Sequence, residues 1–169
     1  MTARRFCYTA PARAQRGMAL LVSLVMLLIL TLIGISSMQD ATLQEKMGSS
    51  VMSRNQTFQV AEAALRIGEN AVAATTFNMA VCTSPATCAP LPDSSTVVAA
   101  GLSSNGLTAW VAVPNTTSLY GIQRIGATTA AVNTPTGCTS SSLTLYRVTS
   151  VALFGSGYRT VLESIYGKC

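Results

Sequence analysis

The chain contains no histidine. The side chain that most often serves as general base beside a nucleophilic Ser or Cys is therefore missing, and so is the commonest metal ligand. Charge is scarce as well. Only 10% of residues are charged and 49% are apolar, whereas in a soluble domain about a quarter are charged. A membrane segment accounts for this imbalance. Proline is absent between Pro11 and Pro85, a stretch of more than 70 residues, so nothing there breaks a helix by removing a donor. Downstream of residue 18 the acids are Asp40, Glu45, Glu62, Glu69, Asp93 and Glu163. Four fall on the expected helix and two are isolated, with no spacing that suggests a catalytic carboxylate pair. Gly155-Ser156-Gly157 is too short for a phosphate loop and lacks its lysine, so it reads as a turn. Neither an enzyme site nor a cofactor is expected.

The charges that are present are unevenly placed. Arg4, Arg5, Arg13 and Arg16 precede residue 17 with no acid among them, and from residue 18 onward seven basic residues face six acids. The formal net charge of +5 thus describes an N-terminal tail held on the positive, cytoplasmic side of a membrane. It carries no implication of nucleic-acid binding. Met18 to Ile35 reads MALLVSLVMLLILTLIGI, and no charge occurs between Arg16 and Asp40. A span needs about 20 mostly apolar residues. A cleaved secretory signal would have an apolar region of about 7 to 15 residues and a small-x-small site after it. Here the run is longer, and Ser36-Ser37-Met38-Gln39 is a poor site.

Helix formers fill the stretch beyond the span. Leu43, Met47, Val51, Phe58, Ala61 and Leu65 lie within an arc of roughly 80° at helical spacing, an amphipathic stripe broken by Arg54. Glu62 and Arg66 are an i, i+4 pair in the favourable order. The expectation is one helix from 18 to 72, on the order of 80 Å long. Its soft points are at Gly34 and Gly48-Ser49-Ser50. Composition then turns to Cys, Thr, Ser, Pro, Ala and Gly. Strands are expected over 107–113, 119–125, 143–154 and 158–166, with a tight hairpin at 155–157. The fold class is α+β: a long N-terminal helix, transmembrane in its first half, whose second half lays its apolar stripe on a small antiparallel β-sheet head. The divisions are a basic leader 1–17, a transmembrane half 18–39, an amphipathic half 40–72 and a β-rich head 73–169.

Cys7 lies in the leader, and Cys82, Cys88, Cys138 and Cys169 lie beyond the membrane. Four cysteines in an oxidising compartment suggest two disulfides among three possible connectivities. The short loop favours Cys82–Cys88, which leaves Cys138–Cys169. Closing a loop of about 30 residues is worth roughly 3 kcal/mol. A Cys₄ zinc site is disfavoured because its ligands usually stand in C-x₂₋₄-C spacing.

Arg16-Gly17 followed at once by Met18-Ala19-Leu20-Leu21-Val22 resembles the processing site of type IV prepilins. The resemblance implies that a prepilin peptidase cuts after Gly17 and that Met18 becomes the N-methylated first residue. Most pilins carry Glu at the fifth mature position, where it pairs with a neighbour's terminal amine; here that position is Val22. Glu45-Lys46-Met47, the run Phe58 to Arg66, Tyr146 to Ser150, the 155–157 turn and Val161 to Tyr166 resemble PilX-type minor pilins. Residues 82–140 match no pattern. The resemblance implies a subunit that helps prime type IV pilus assembly and stays at or near the tip. Its partners would be other minor pilins, the major pilin, the prepilin peptidase and the inner membrane. It would be a single-pass protein with a periplasmic head, later exposed on the pilus. A type II secretion pseudopilin is the nearest alternative. A membrane-anchored periplasmic binding module or enzyme is the alternative of another class, and predicts an uncut N-terminus.

Overall fold

The structure, a computed structural model, describes residues 16–131, 134, 138, 142–155 and 157–169. The expected leader therefore lies almost wholly outside the described residues, as does Ser156. One helix, α1, runs over Arg16–Ala73. A single turn, α2, covers Pro85–Cys88, and a 3-10 turn covers Pro92–Ser95. Five strands follow: β1 Gly101–Leu102, β2 Ala109–Ala112, β3 Ser118–Thr128, β4 Leu143–Phe154 and β5 Tyr158–Lys168. The result is a pilin-like α+β layout. The chain divides into two compact units between Gly48 and Ser49.

The first unit is helical. Its large apolar side chains point outward along its described length: Met18, Leu24, Leu30 and Ile33 are each about three-fifths exposed. Both hydroxyls within the apolar run turn back on the helix. Ser23 Oγ donates to the Leu20 carbonyl at 2.9 Å and Thr31 Oγ1 to the Leu28 carbonyl at 2.8 Å. Hydroxyls satisfied in this way do not oppose an apolar surrounding.

In the second unit the five strands form an antiparallel meander in the order β1-β2-β3-β4-β5. Residues 49–73 of α1 cover one face. Val72, Ile122, Tyr146 and Val148 make the core between helix and sheet, and Ser150 Oγ donates to the Ala61 carbonyl at 2.8 Å. The opposite face is covered by the segment after the helix, where Leu91, Trp110, Leu119 and Val151 form a second core. Both covers approach closely because glycine lets them. A Cβ built on Gly68 would stand 2.6 Å from Val148 Cγ1, and one on Gly121 would stand 2.8 Å from Leu91 Cδ1.

Three sequence expectations need correction. Only the C-terminal part of the expected stripe meets the sheet, through buried Ala61 and through Leu65 against the Val72 and Val148 core. Leu43, Met47, Val51 and Phe58 are about half exposed or more, while Thr57, Ala61, Ala64 and Val72 are buried, as is Gly68. These five follow spacings of four, three, four and four, on a face rotated from the predicted stripe. Small residues win this position because they let a helix lie close on a pleated surface. The strand expected over 107–113 is shorter, because Asn105 Oδ1 accepts from the Leu107 and Thr108 amides and turns the chain there. The strand expected over 119–125 is longer, because a bulge between Arg124 and Gly126 carries pairing on to Thr128.

Candidate functional site

Gly17 opens the described surface of α1, with Met18 next and Val22 one turn on. A Cβ added to Gly17 would meet nothing within 4 Å, so no contact among the described residues requires glycine there. Met18 is 63% and Val22 51% exposed. The most apolar 18 residues of the helix have a mean hydropathy of 2.9 and are not buried among the described residues, and no charge occurs between Arg16 and Asp40. An uncharged, fully presented apolar helix has one stable use in water-filled surroundings, which is burial in lipid or against other apolar helices. No acid occurs before Asp40, so the apolar run from Met18 to Ile35 carries no carboxylate.

The head presents no comparable chemistry. Among the described residues no group of three or more His, Cys, Asp or Glu side chains could hold a metal. A cleft of about 440 Å³ is lined by Val98, Ala100, Ala112, Leu119 and Leu153 among others, none of them ionisable. What the head does contain is a system of pins that fix its irregular segment. Cys82 and Cys88 are bonded, with Cα atoms 5.2 Å apart, and Ser84 and Thr87 cap the turn between them reciprocally. Cys138 is bonded to Cys169, Cα atoms 5.7 Å apart, which ties the last residue to the β3–β4 connection.

Strand side chains complete the attachment by donating to loop carbonyls. Gln123 Nε2 reaches Thr87 O and Ala89 O at 3.1 and 3.0 Å. Arg147 Nη1 reaches Cys88 O at 2.6 Å, and its Nε pairs with Glu163 at 2.5 Å. Arg159 holds Ser94 O, and Lys168 holds Ala74 O and Phe77 O at the helix end. Asp93, isolated in sequence, accepts from Ser103 Oγ at 2.8 Å, from the Ser104 amide at 3.1 Å and from Trp110 Nε1 at 3.1 Å. Partial burial pushes its pKa up, but these donors outweigh that and hold the carboxyl below its ordinary value. Apart from the two cysteine pairs, which the cysteine count and spacing suggested, the strand-to-loop pins were not legible in the sequence, because Gln123, Arg147, Arg159 and Lys168 each reach a partner remote along the chain.

Residues 16–66 match the family model described as PilX N-terminal. That match supports a PilX-type minor pilin of the type IV pilus. The match covers the apolar run and most of the amphipathic half. It includes Glu62 and Arg66, which pair at 2.6 Å. PilX-type pilins are structural subunits, and an apolar N-terminal helix fits one anchored in a membrane and built into a pilus. No curated protein and no solved structure matches the chain.

Proposed function

We propose that this PilX-type chain helps to prime type IV pilus assembly and occupies a position at or near the pilus tip. The observation that carries the reading is Val22. If the chain is cut after Gly17, Val22 is the fifth mature residue, where a pilin within a shaft offers a carboxylate to its neighbour's amine. A carboxylate in the bilayer centre costs about 2.5 to 3.5 kcal/mol on insertion scales, so it is retained where it has a charge to meet. A subunit without one leaves the amine of a subunit ahead of it unpaired. It therefore suits the first place, with nothing ahead.

The cut after Gly17 belongs to the same proposal. Glycine lowers helix stability by up to about 1 kcal/mol relative to alanine, and no contact among the described residues compensates for it. A peptidase subsite that admits only a residue without a side chain would. The partners are then other minor pilins, the major pilin and the prepilin peptidase. The location is the inner membrane with the head in the periplasm, and afterwards the pilus.

Labelling of a tagged chain on intact pili tests the position, with marking at filament ends as the expected result. Deletion should sharply reduce the number of pili while leaving the diameter of those that remain unchanged. Even labelling along the shaft, at a level near that of the major subunit, would overturn the reading. Val22→Glu should give no gain in piliation. N-terminal sequencing should find methylated Met18 in the wild type and an uncut chain for Gly17→Val.

A further inference from the structure

The two edges of the sheet differ. At one edge β1 is only two residues long, Gly101–Leu102. A very short strand is one of the ways in which proteins prevent unwanted pairing. At the other edge β5 runs for eleven residues and pairs in unbroken register with β4, from Phe154↔Tyr158 to Thr144↔Lys168. Among the described residues β5 pairs with β4 alone. It has no proline and no bulge. Edge strands are commonly guarded by charges, especially Lys, but both cations of β5 are engaged inside the chain, Arg159 on Ser94 O and Lys168 on Ala74 O and Phe77 O. What β5 presents outward alternates along one face: Val161, 38% exposed, then Glu163, then Ile165, 54% exposed.

We infer that β5 is a docking edge for an extended segment of another protein. That segment adds to the sheet as a sixth strand and carries apolar residues on either side of one Lys or Arg placed opposite Glu163. The row of unpaired amides and carbonyls on an edge strand selects an extended backbone. The alternation of Val161, Glu163 and Ile165 selects the side chains, since directly opposed pairs are the unit of sheet stability. Glu163 pairs with Arg147, yet the Arg147 side chain is 17% exposed and that of Glu163 is 36% exposed, so an arriving strand meets the carboxylate. A second copy of this chain fits poorly. The antiparallel register that sets Val161 of one copy opposite Ile165 of the other puts Glu163 opposite Glu163. Shifting by two residues sets an apolar side chain against the carboxylate.

The test uses the full chain in detergent and three fluorescent ten-residue peptides of alternating Val and Thr. One has a central Lys, one has Glu in its place, and one has the Lys sequence with alternate backbone amides methylated. Anisotropy should show the Lys peptide binding about fivefold tighter than the Glu peptide, the ratio for about 1 kcal/mol of cross-strand charge pairing. The methylated peptide should not bind. Val161→Lys and Ile165→Lys, singly and together, should weaken the Lys peptide with an unchanged melting temperature, and Leu102→Lys at the other edge should not. Failure of the Lys peptide to bind overturns the inference, as do equal binding of the first two peptides or insensitivity to both β5 variants. Sedimentation showing that the chain dimerises through β5, abolished by Ile165→Lys, would assign the edge to a second copy and overturn the heterologous partner.

Discussion

The N-terminal unit and the head are both rich in apolar residues, and they use them in opposite ways. From Met18 to Ile35 the large side chains stay exposed among the described residues, and the hydroxyls of Ser23 and Thr31 bond to their own helix. In the head, Val72, Val148 and Val151 are fully buried, and irregular backbone is tied down by donors from three strands. The first unit is thus shaped by what surrounds the chain and tolerates any side chain that lipid or another helix accepts. The head is shaped by its own interior, where one added carbon is felt.

The largest effect that sharpens this contrast comes from the bond between Cys138 and Cys169. Replacing both by Ser releases a loop of 31 residues and should cost the head about 3–4 kcal/mol on the chain-entropy account. Thermal unfolding by near-ultraviolet dichroism measures it. The far-ultraviolet helical signal of the N-terminal unit should survive, because that unit shares none of these bonds. Non-reducing peptide mapping of the wild type should recover Cys82 with Cys88 and Cys138 with Cys169. A cross-linked peptide joining Cys82 to Cys138 would show the pairing to be wrong.

A smaller but sharper test makes the same substitution twice in one helix. Gly68→Ala would bring a Cβ to 2.6 Å from Val148 Cγ1 and 3.1 Å from Tyr120 Cδ2, and overpacking of this kind costs about 1–3 kcal/mol. Gly34→Ala meets nothing within 4 Å and removes a helix-weakening residue, a gain of up to about 1 kcal/mol. The two changes should move thermal stability in opposite directions. A destabilising Gly34→Ala in the detergent-solubilised monomer would mean that the first unit has an internal packing constraint.

The same pair of glycines explains what could be read from the sequence. The helix was legible because its signals are local: no proline, many helix formers and an uncharged run. The hairpin of β4 and β5 was legible for the same reason, with the β4 bounds of Leu143–Phe154 set by alternation and a glycine turn. The face by which α1 meets the sheet was not. The expected stripe held Ala61 and Leu65, which do pack, but also Met47, Val51 and Phe58, which stay exposed, and it missed Ala64 and Gly68, which matter by being small. Residues 82–106 were illegible because their order comes from Gln123, Arg147 and Arg159, far along the chain. Of the candidate site, Gly17 and Val22 were visible at once, since processing and charge pairing concern positions counted from one end.

The smallest expected effect concerns Asp93, and pH should isolate it. Its carboxylate is held by Ser103, the Ser104 amide and the indole of Trp110, so the folded chain keeps it ionised to lower pH than the unfolded chain does. A group with a depressed folded pKa contributes stability that is fully present above the unfolded value, about 3.9 for Asp. That contribution is lost as pH falls through the folded value. Between pH 5 and pH 7 the head's stability should therefore not respond to this group, and below about pH 4 it should decline. Trp110 is the only tryptophan of the chain and donates directly to Asp93, so its emission reports the site without labelling. Acid titration should shift the emission before the head unfolds, and Asp93→Asn should remove that early step. The N-terminal unit, with no acid before Asp40, should show no matching change in helicity over the same range. An early step that persists in Asp93→Asn would place the acid response elsewhere.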